Sequence, residues 1–179
     1  MTFSINMELI LFITTLTTSA FAAVLGQGGG LMLMGVLAQV IPAPILIPFH
    51  AIIQAASNSS RAVLAAKYIN WKIITPILFG IALGAALIAP FLTQVNWNGM
   101  RTIIGLFILW SVWGQRISLP VKLPYALTLL GVAQGALGLL LGATGPLGNA
   151  LLLSKGLNKD ALIASNAVIM FVSHLVKII

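Results

Sequence analysis

Charge is what this sequence lacks most. Only 6% of its 179 residues are Asp, Glu, Lys or Arg, and just two of those are acids, Glu8 and Asp160. A soluble domain carries about a quarter charged residues. The deficit is organised in space: no charged residue falls between Glu8 and Arg61, between Lys72 and Arg101, or between Lys122 and Lys155. Those runs of Leu, Ile, Ala and Val exceed the roughly 20 residues that cross a bilayer. Cysteine is absent altogether, which excludes disulfides, thiolate metal ligands and a cysteine nucleophile. Neither acid has a second carboxylate nearby in sequence, so paired-carboxylate catalysis has no candidate. Two separated histidines and two acids make no metal-ligand spacing, and no Gly-x-Ser-x-Gly elbow occurs. No enzyme, metal or cofactor is expected. Met1 to Met7 also lacks Lys and Arg, so the charged n-region of a signal peptide is missing. The apolar segment that follows should stay in the protein as its first helix.

What is present is apolar. Hydrophobic residues make up 60% of the chain, and the mean hydropathy is +1.11. The expected solvent is lipid. A net charge of +7 does not indicate nucleic acid, because such binders cluster Lys and Arg on a solvated face. Here the basic residues sit at the ends of apolar runs, as in the cytoplasmic loops of membrane proteins.

Prolines and paired glycines divide the chain into about eight helical segments. They run near Met7–Leu25, Leu31–Val40, Ile45–Ala66, Trp71–Leu92, Met100–Gly114 and Leu123–Leu141. A seventh, short, ends near Lys155, and the last begins near Asp160 and is still running at Ile179. The two short helices follow glycine-rich breaks, Gly26-Gln27-Gly28-Gly29-Gly30 and Gly142-Ala143-Thr144-Gly145-Pro146. The fold class expected is an all-α polytopic membrane protein forming a single membrane domain over 1–179. If every segment reverses direction and the N-terminus lies outside, Lys67, Lys72, Arg116, Lys122, Lys155 and Lys159 fall in inside loops. Trp71 and Trp113 then lie near the inner boundary and Trp97 near the outer, while Trp110, one turn deeper, reads as a packing residue. Glu8 marks the outer end of the first helix, and Asp160 reads as the cap of the last.

The chain also repeats. Slid by about 116 residues, it brings the two breaks into register without a gap. Gly29 then meets Gly145, His50 meets Asn166, Ser57 meets Ser173, Asn58 meets His174 and Arg61 meets Lys177. Five segments separate equivalent positions, an odd number, so the copies are expected to be inverted in the membrane. Repeat one covers about 7–116 and repeat two about 123–179. The second copy is incomplete, and two further helices are expected beyond Ile179, the chain being a fragment or a natural truncation.

A helix that starts within the membrane has unpaired N–H groups, which must face protein, water or a ligand. With the positive end of the helix dipole they suit an anion. Gly28, Gly29 and Gly30, and Thr144 and Gly145 in the second break, are therefore candidate substrate contacts. The other reading is that the glycines permit a tight helix crossing. On the third helix His50, Gln54, Ser57 and Arg61 recur at spacings of four, three and four, so they share a face that Asn58 flanks. Ser57, Asn58 and Arg61, with Ser173, His174 and Lys177 in the second copy, complete the candidate site. Arg61 and Lys177 could instead snorkel to the membrane surface. His50 and His174 could carry a coupling proton, or serve only as structural hydrogen-bonding groups. Gly80 and Gly84, with Ala82, Ala85 and Ala89, form a small-residue surface on the fourth helix. It reads as packing within the chain, with a homo-oligomer face as the alternative.

The two glycine breaks, together with Gly131-Val132-Ala133-Gln134-Gly135-Ala136-Leu137-Gly138 ahead of the second, resemble those of the TauE/SafE family, also called toluene-sulfonate uptake permeases. Thr144 and Pro146 depart from the glycines common there. The resemblance implies transport of small sulfur-containing anions such as sulfite or an organosulfonate; the expected mechanism is alternating access, and the expected location is a bacterial inner (plasma) membrane. A transporter of a neutral solute and a non-transporting membrane scaffold are the alternatives. The near-absence of acids argues against a cation site, and polar side chains at membrane depth argue against a pure scaffold.

Overall fold

The computed structural model describes residues 5–25, 28–113 and 125–178. Among them are eight α-helices and no strand: α1 (Ile5–Leu25), α2 (Gly29–Val40), α3 (Ala43–Leu64), α4 (Trp71–Ile88), α5 (Met100–Trp113), α6 (Ala126–Leu141), α7 (Gly145–Ser154) and α8 (Lys159–Leu175). Short 3-10 turns, Ala66–Tyr68 and Ala89–Gln94, follow α3 and α4. Gly26 and Gln27 of the first break, the inner-loop cations Arg116 and Lys122, Gly114, the expected sixth-helix start at Leu123, and Ile179 lie outside the described residues.

Local chemistry sets the boundaries. Pro42 precedes α3 and a proline sits in its first turn, where the missing N–H costs nothing. The Asn70 side chain caps α4 by accepting from the Ile73 N–H, and Asn158 caps α8 by accepting from the Ala161 N–H at 2.8 Å. Asp160 is therefore not the cap. It lies in the first turn of α8, where its charge still suits the dipole. Nor does the last helix run to Ile179: α8 ends at Leu175, and the Lys177 N–H bonds the His174 carbonyl in a tighter turn. Trp110 is 43% exposed and lies against Phe107 of its own helix, with ring centroids 5.8 Å apart.

Two apolar clusters hold the bundle. One joins Leu11, Leu33, Met34, Leu37, Ile41, Leu46 and Ile104 of α1, α2, α3 and α5. The other joins Ile74, Ile77, Ile81, Leu130, Leu152 and Ile169 of α4, α6, α7 and α8. The closest helix pair is α4 with α6. A Cβ added at Gly80 would lie 2.2 Å from the Thr128 carbonyl oxygen, and one at Gly84 2.1 Å from that of Val132. Across the seam, Gly131 and Gly135 meet the carbonyls of Ile77 and Ile81 as closely. Gly80, Gly84 and Ala85 are thus spent on packing within the chain, while Ala82 and Ala89 stay exposed.

Outward faces are greasy: Phe12, Leu16, Val24, Phe79, Leu87, Leu106 and Val112 are exposed. One described stretch, Trp71–Gln94, is long and apolar enough to cross a membrane by length and composition. The rest are shorter apolar segments or, like α3, interrupted by polar residues.

The order helix, break, short helix, long helix occurs twice, as α1-α2-α3 and α6-α7-α8. The two long helices that follow the short ones, α3 and α8, pack on each other in opposite directions. Ser165 near the start of α8 accepts from the Asn70 N–H just past α3, while His174 at the far end meets His50 in the middle of α3.

Candidate anion site

A cavity of about 40 Å³ lies where the two breaks approach the α3–α8 crossing. It is lined by Gly28, Gly29 and Gly30 at the start of α2, Gly145, Pro146 and Asn149 at the start of α7, His50, Gln54, Asn58 and Arg61 of α3, and Asn166 and His174 of α8.

Both short helices begin here without a side-chain cap. The residue before α2 is Gly28, in a backbone conformation (φ +91°) that L side chains rarely adopt. The residue before α7 is Thr144, whose hydroxyl does not cap. The first-turn N–H groups and the positive ends of both dipoles therefore border the cavity. The two ends are not equivalent, since Pro146 has no N–H to offer. Gly29 is fixed by packing: a Cβ there would fall 2.1 Å from the Thr18 carbonyl oxygen. Gly145 faces only the Met170 sulfur, at 3.2 Å.

One hydrogen-bonded chain runs down α3. Asn58 Nδ2 donates to the Gln54 carbonyl at 2.7 Å and to Gln54 Oε1 at 3.3 Å. Asn58 Oδ1 accepts from Arg61 Nη2. Arg61 Nη1 donates to the Ala22 carbonyl near the end of α1 at 3.2 Å. Arg61 Nε is buried with no partner. Arg61 therefore turns inward over the cavity instead of snorkelling.

Its counterpart also turns inward. Lys177 is buried, and its Nζ donates to the Gly142 carbonyl at the end of α6 at 2.7 Å and approaches His174 Nδ1 at 3.5 Å. Gly138 makes the room, since a Cβ there would lie 2.8 Å from Lys177 Cε. Each cation thus sits on carbonyls at the C-terminal end of the helix leading into a break, the negative end of its dipole. Arg101 does the same for α2, donating to the Ile41 carbonyl at 3.0 Å. With so few acids, backbone carbonyls stand in for counter-ions.

His50 is fully buried, and its Nε2 lies 2.9 Å from the Gly30 carbonyl oxygen. The His50 and His174 rings meet edge to face, with centroids 5.4 Å apart.

Of the residues expected in the site, Gly28, Gly29, Gly30, Asn58, Arg61, Gly145 and His174 line the cavity. Ser57, Thr144, Ser173 and Lys177 are not among its lining. Lys177 stands behind His174, while Thr144 and Ser173 are buried nearby. Sequence reasoning had placed His50 and Gln54 on the right face without counting them as contacts, and had matched Asn166 to His50. It missed Asn149. It also passed over Gln134, whose buried Nε2 donates to the Thr144 carbonyl at 3.3 Å and braces the second break. A lone amide in a glycine-rich helix was the signal for Gln134. For Asn149 none stood out.

A profile of the family described as Sulfite exporter TauE/SafE matches residues 11–179. The chain belongs to the TauE/SafE sulfite exporter family. It is accordingly a polytopic membrane protein of a transporter family, which accounts for its apolar outward faces. No curated protein and no solved structure matches the chain.

Proposed function

We propose that this protein carries a small sulfur oxyanion of the sulfite type across the bacterial inner membrane by alternating access. The carrying observation is the cavity itself. Two uncapped helix N-termini and the Arg61 guanidinium converge on it, and no carboxylate among the described residues lines it. At roughly 10–15 Å³ of such space per water, about 40 Å³ has room for about three waters, the scale of sulfite.

In this reading the two copies of the repeat, about 7–116 and 123–179, lie inverted about the α3–α8 crossing with the bound anion between them. Support comes from the shared position of the breaks and from the paired cations, Arg61 and Lys177, at the ends of α1 and α6. The N-terminus lies outside.

The test is flux in proteoliposomes of sulfite, sulfoacetate, sulfate, phosphate and a neutral amino acid. Saturable sulfite movement is expected in the wild type. Arg61→Gln should reduce it at least about thirtyfold, the usual scale for losing one partner of a charged hydrogen-bonded pair. Failure of every anion to move, with folded protein, would sink the anion reading.

A further inference from the structure

The tautomers of the two cavity histidines are fixed by neighbours of opposite character, and together they specify more than an anion. A backbone carbonyl only accepts, so the His50 nitrogen facing the Gly30 oxygen, Nε2, carries the ring proton. His50 Nδ1 is then a lone-pair acceptor, and it is buried with no partner. A charged Lys177 only donates, so in that state His174 Nδ1, 3.5 Å from its Nζ, accepts and His174 Nε2 carries the proton. Arg61 Nε is a further buried donor without a partner. The lining thus combines donors suited to anionic oxygens, on Arg61 and His174, with an unpartnered ring acceptor, on His50, that no bare oxyanion can satisfy.

We infer that the site selects an oxyanion that still carries a hydroxyl proton, a monoanion of the hydrogen sulfite kind. The anion's O–H donates to His50 Nδ1 while its other oxygens accept from Arg61, His174 and the α2 N-terminus. This rests on the anion-transport reading and refines it: the coupling proton is the substrate's own, carried as part of the anion. The ionisable groups around His50 are Arg61 on its own helix and His174 and Lys177 on α8. The described parts of α2, α6 and α7 bring no charged side chain to the cavity. A proton-bearing monoanion also places one negative charge, not two, in a site with one guanidinium at its wall.

The experiment is competition against labelled sulfite counterflow in proteoliposomes containing the full chain. Competitors are unlabelled sulfite, methanesulfonate and sulfate. Methanesulfonate has the single charge and three acceptor oxygens, but it carries a methyl group and no hydroxyl proton. Sulfite is expected to compete at least about tenfold better than either, because a site built around one hydrogen bond rejects the analogue lacking it. At fixed total sulfite, saturation should follow the monoanion concentration as pH is varied. Methanesulfonate competing as well as sulfite, or transport following the dianion, would overturn the inference while leaving anion transport intact. No counterflow at all would remove both readings.

His50→Gln keeps an N–H for the Gly30 carbonyl and removes the acceptor from its place on the ring. In that variant the preference over methanesulfonate should shrink to within about threefold, and an unchanged preference would take the selection away from His50. Where the variant does not fold, the wild-type competition decides alone.

Discussion

Lys177 has an environment that is unusual for its type: buried, on a backbone carbonyl, beside an imidazole and with no carboxylate side chain near it among the described residues. Desolvating an ammonium is expensive unless its hydrogens are used. The carbonyl at the end of α6 is one of the groups that helix leaves unpaired, so each resolves part of the other's problem. Lys177→Met removes that solution and strands the Gly142 oxygen, which should cost about 1–3 kcal/mol. Thermal unfolding in detergent checks this, and an unchanged midpoint would mean that the carbonyl is satisfied without the lysine. This residue also marks a limit of sequence reading. The repeat paired Lys177 with Arg61 and both do turn inward, but only Arg61 reaches the cavity wall. The difference comes from Gly138 opposite Lys177 and from α8 ending at Leu175. Neither is visible in a pairing of polar positions.

Among the elements, the two short helices look alike in sequence and differ in what their glycines do. Gly29 is wedged against the backbone of α1, whereas Gly145 meets a single flexible methionine. Gly29→Ala would need a backbone to move, and the protein should lose several kcal/mol of stability or fail to accumulate. Gly145→Ala should fold with a midpoint near that of wild type and change anion affinity instead, because Met170 can yield. Expression and melting of the pair, followed by counterflow on whichever folds, separates the two roles. Equal melting losses would mean that both breaks serve packing alone. The breaks were legible because Gly and Pro punctuate any helix. Where α2 starts was not: Gly29 and Gly30 belong to its first turn, and glycine's low helix propensity hid that. The cap of α8 was misplaced onto Asp160 for a related reason, since Asn158 and Asp160 are both good cap types and only the hydrogen bond distinguishes them.

For the whole molecule, composition and uncharged run lengths were enough to read a polytopic helical membrane protein, because lipid imposes its demand on nearly every residue. Pairings between helices were not readable: α4 against α6 is set by backbone proximity that only coordinates display. Orientation can be checked directly, and the absence of cysteine makes this simple. Single cysteines at Lys67 and Asn96, both exposed, should react with a membrane-impermeant thiol reagent from opposite sides in intact cells. Asn96 should be labelled from outside, and Lys67 only after permeabilisation. The reverse pattern would invert the N-outside assignment.

The glycine seam also bears on motion. Where side chains separate two helices, rotamer changes let them slide by small steps; where carbonyl oxygens sit against glycine Cα atoms on both partners, nothing between them can rearrange. Gly80, Gly84, Gly131 and Gly135 leave α4 and α6 no such freedom. These two helices, drawn from opposite halves of the chain, should behave as a single chassis. When the cavity changes its opening from one side of the membrane to the other, the displacement must be taken up by the more loosely held α1, α2 and α5.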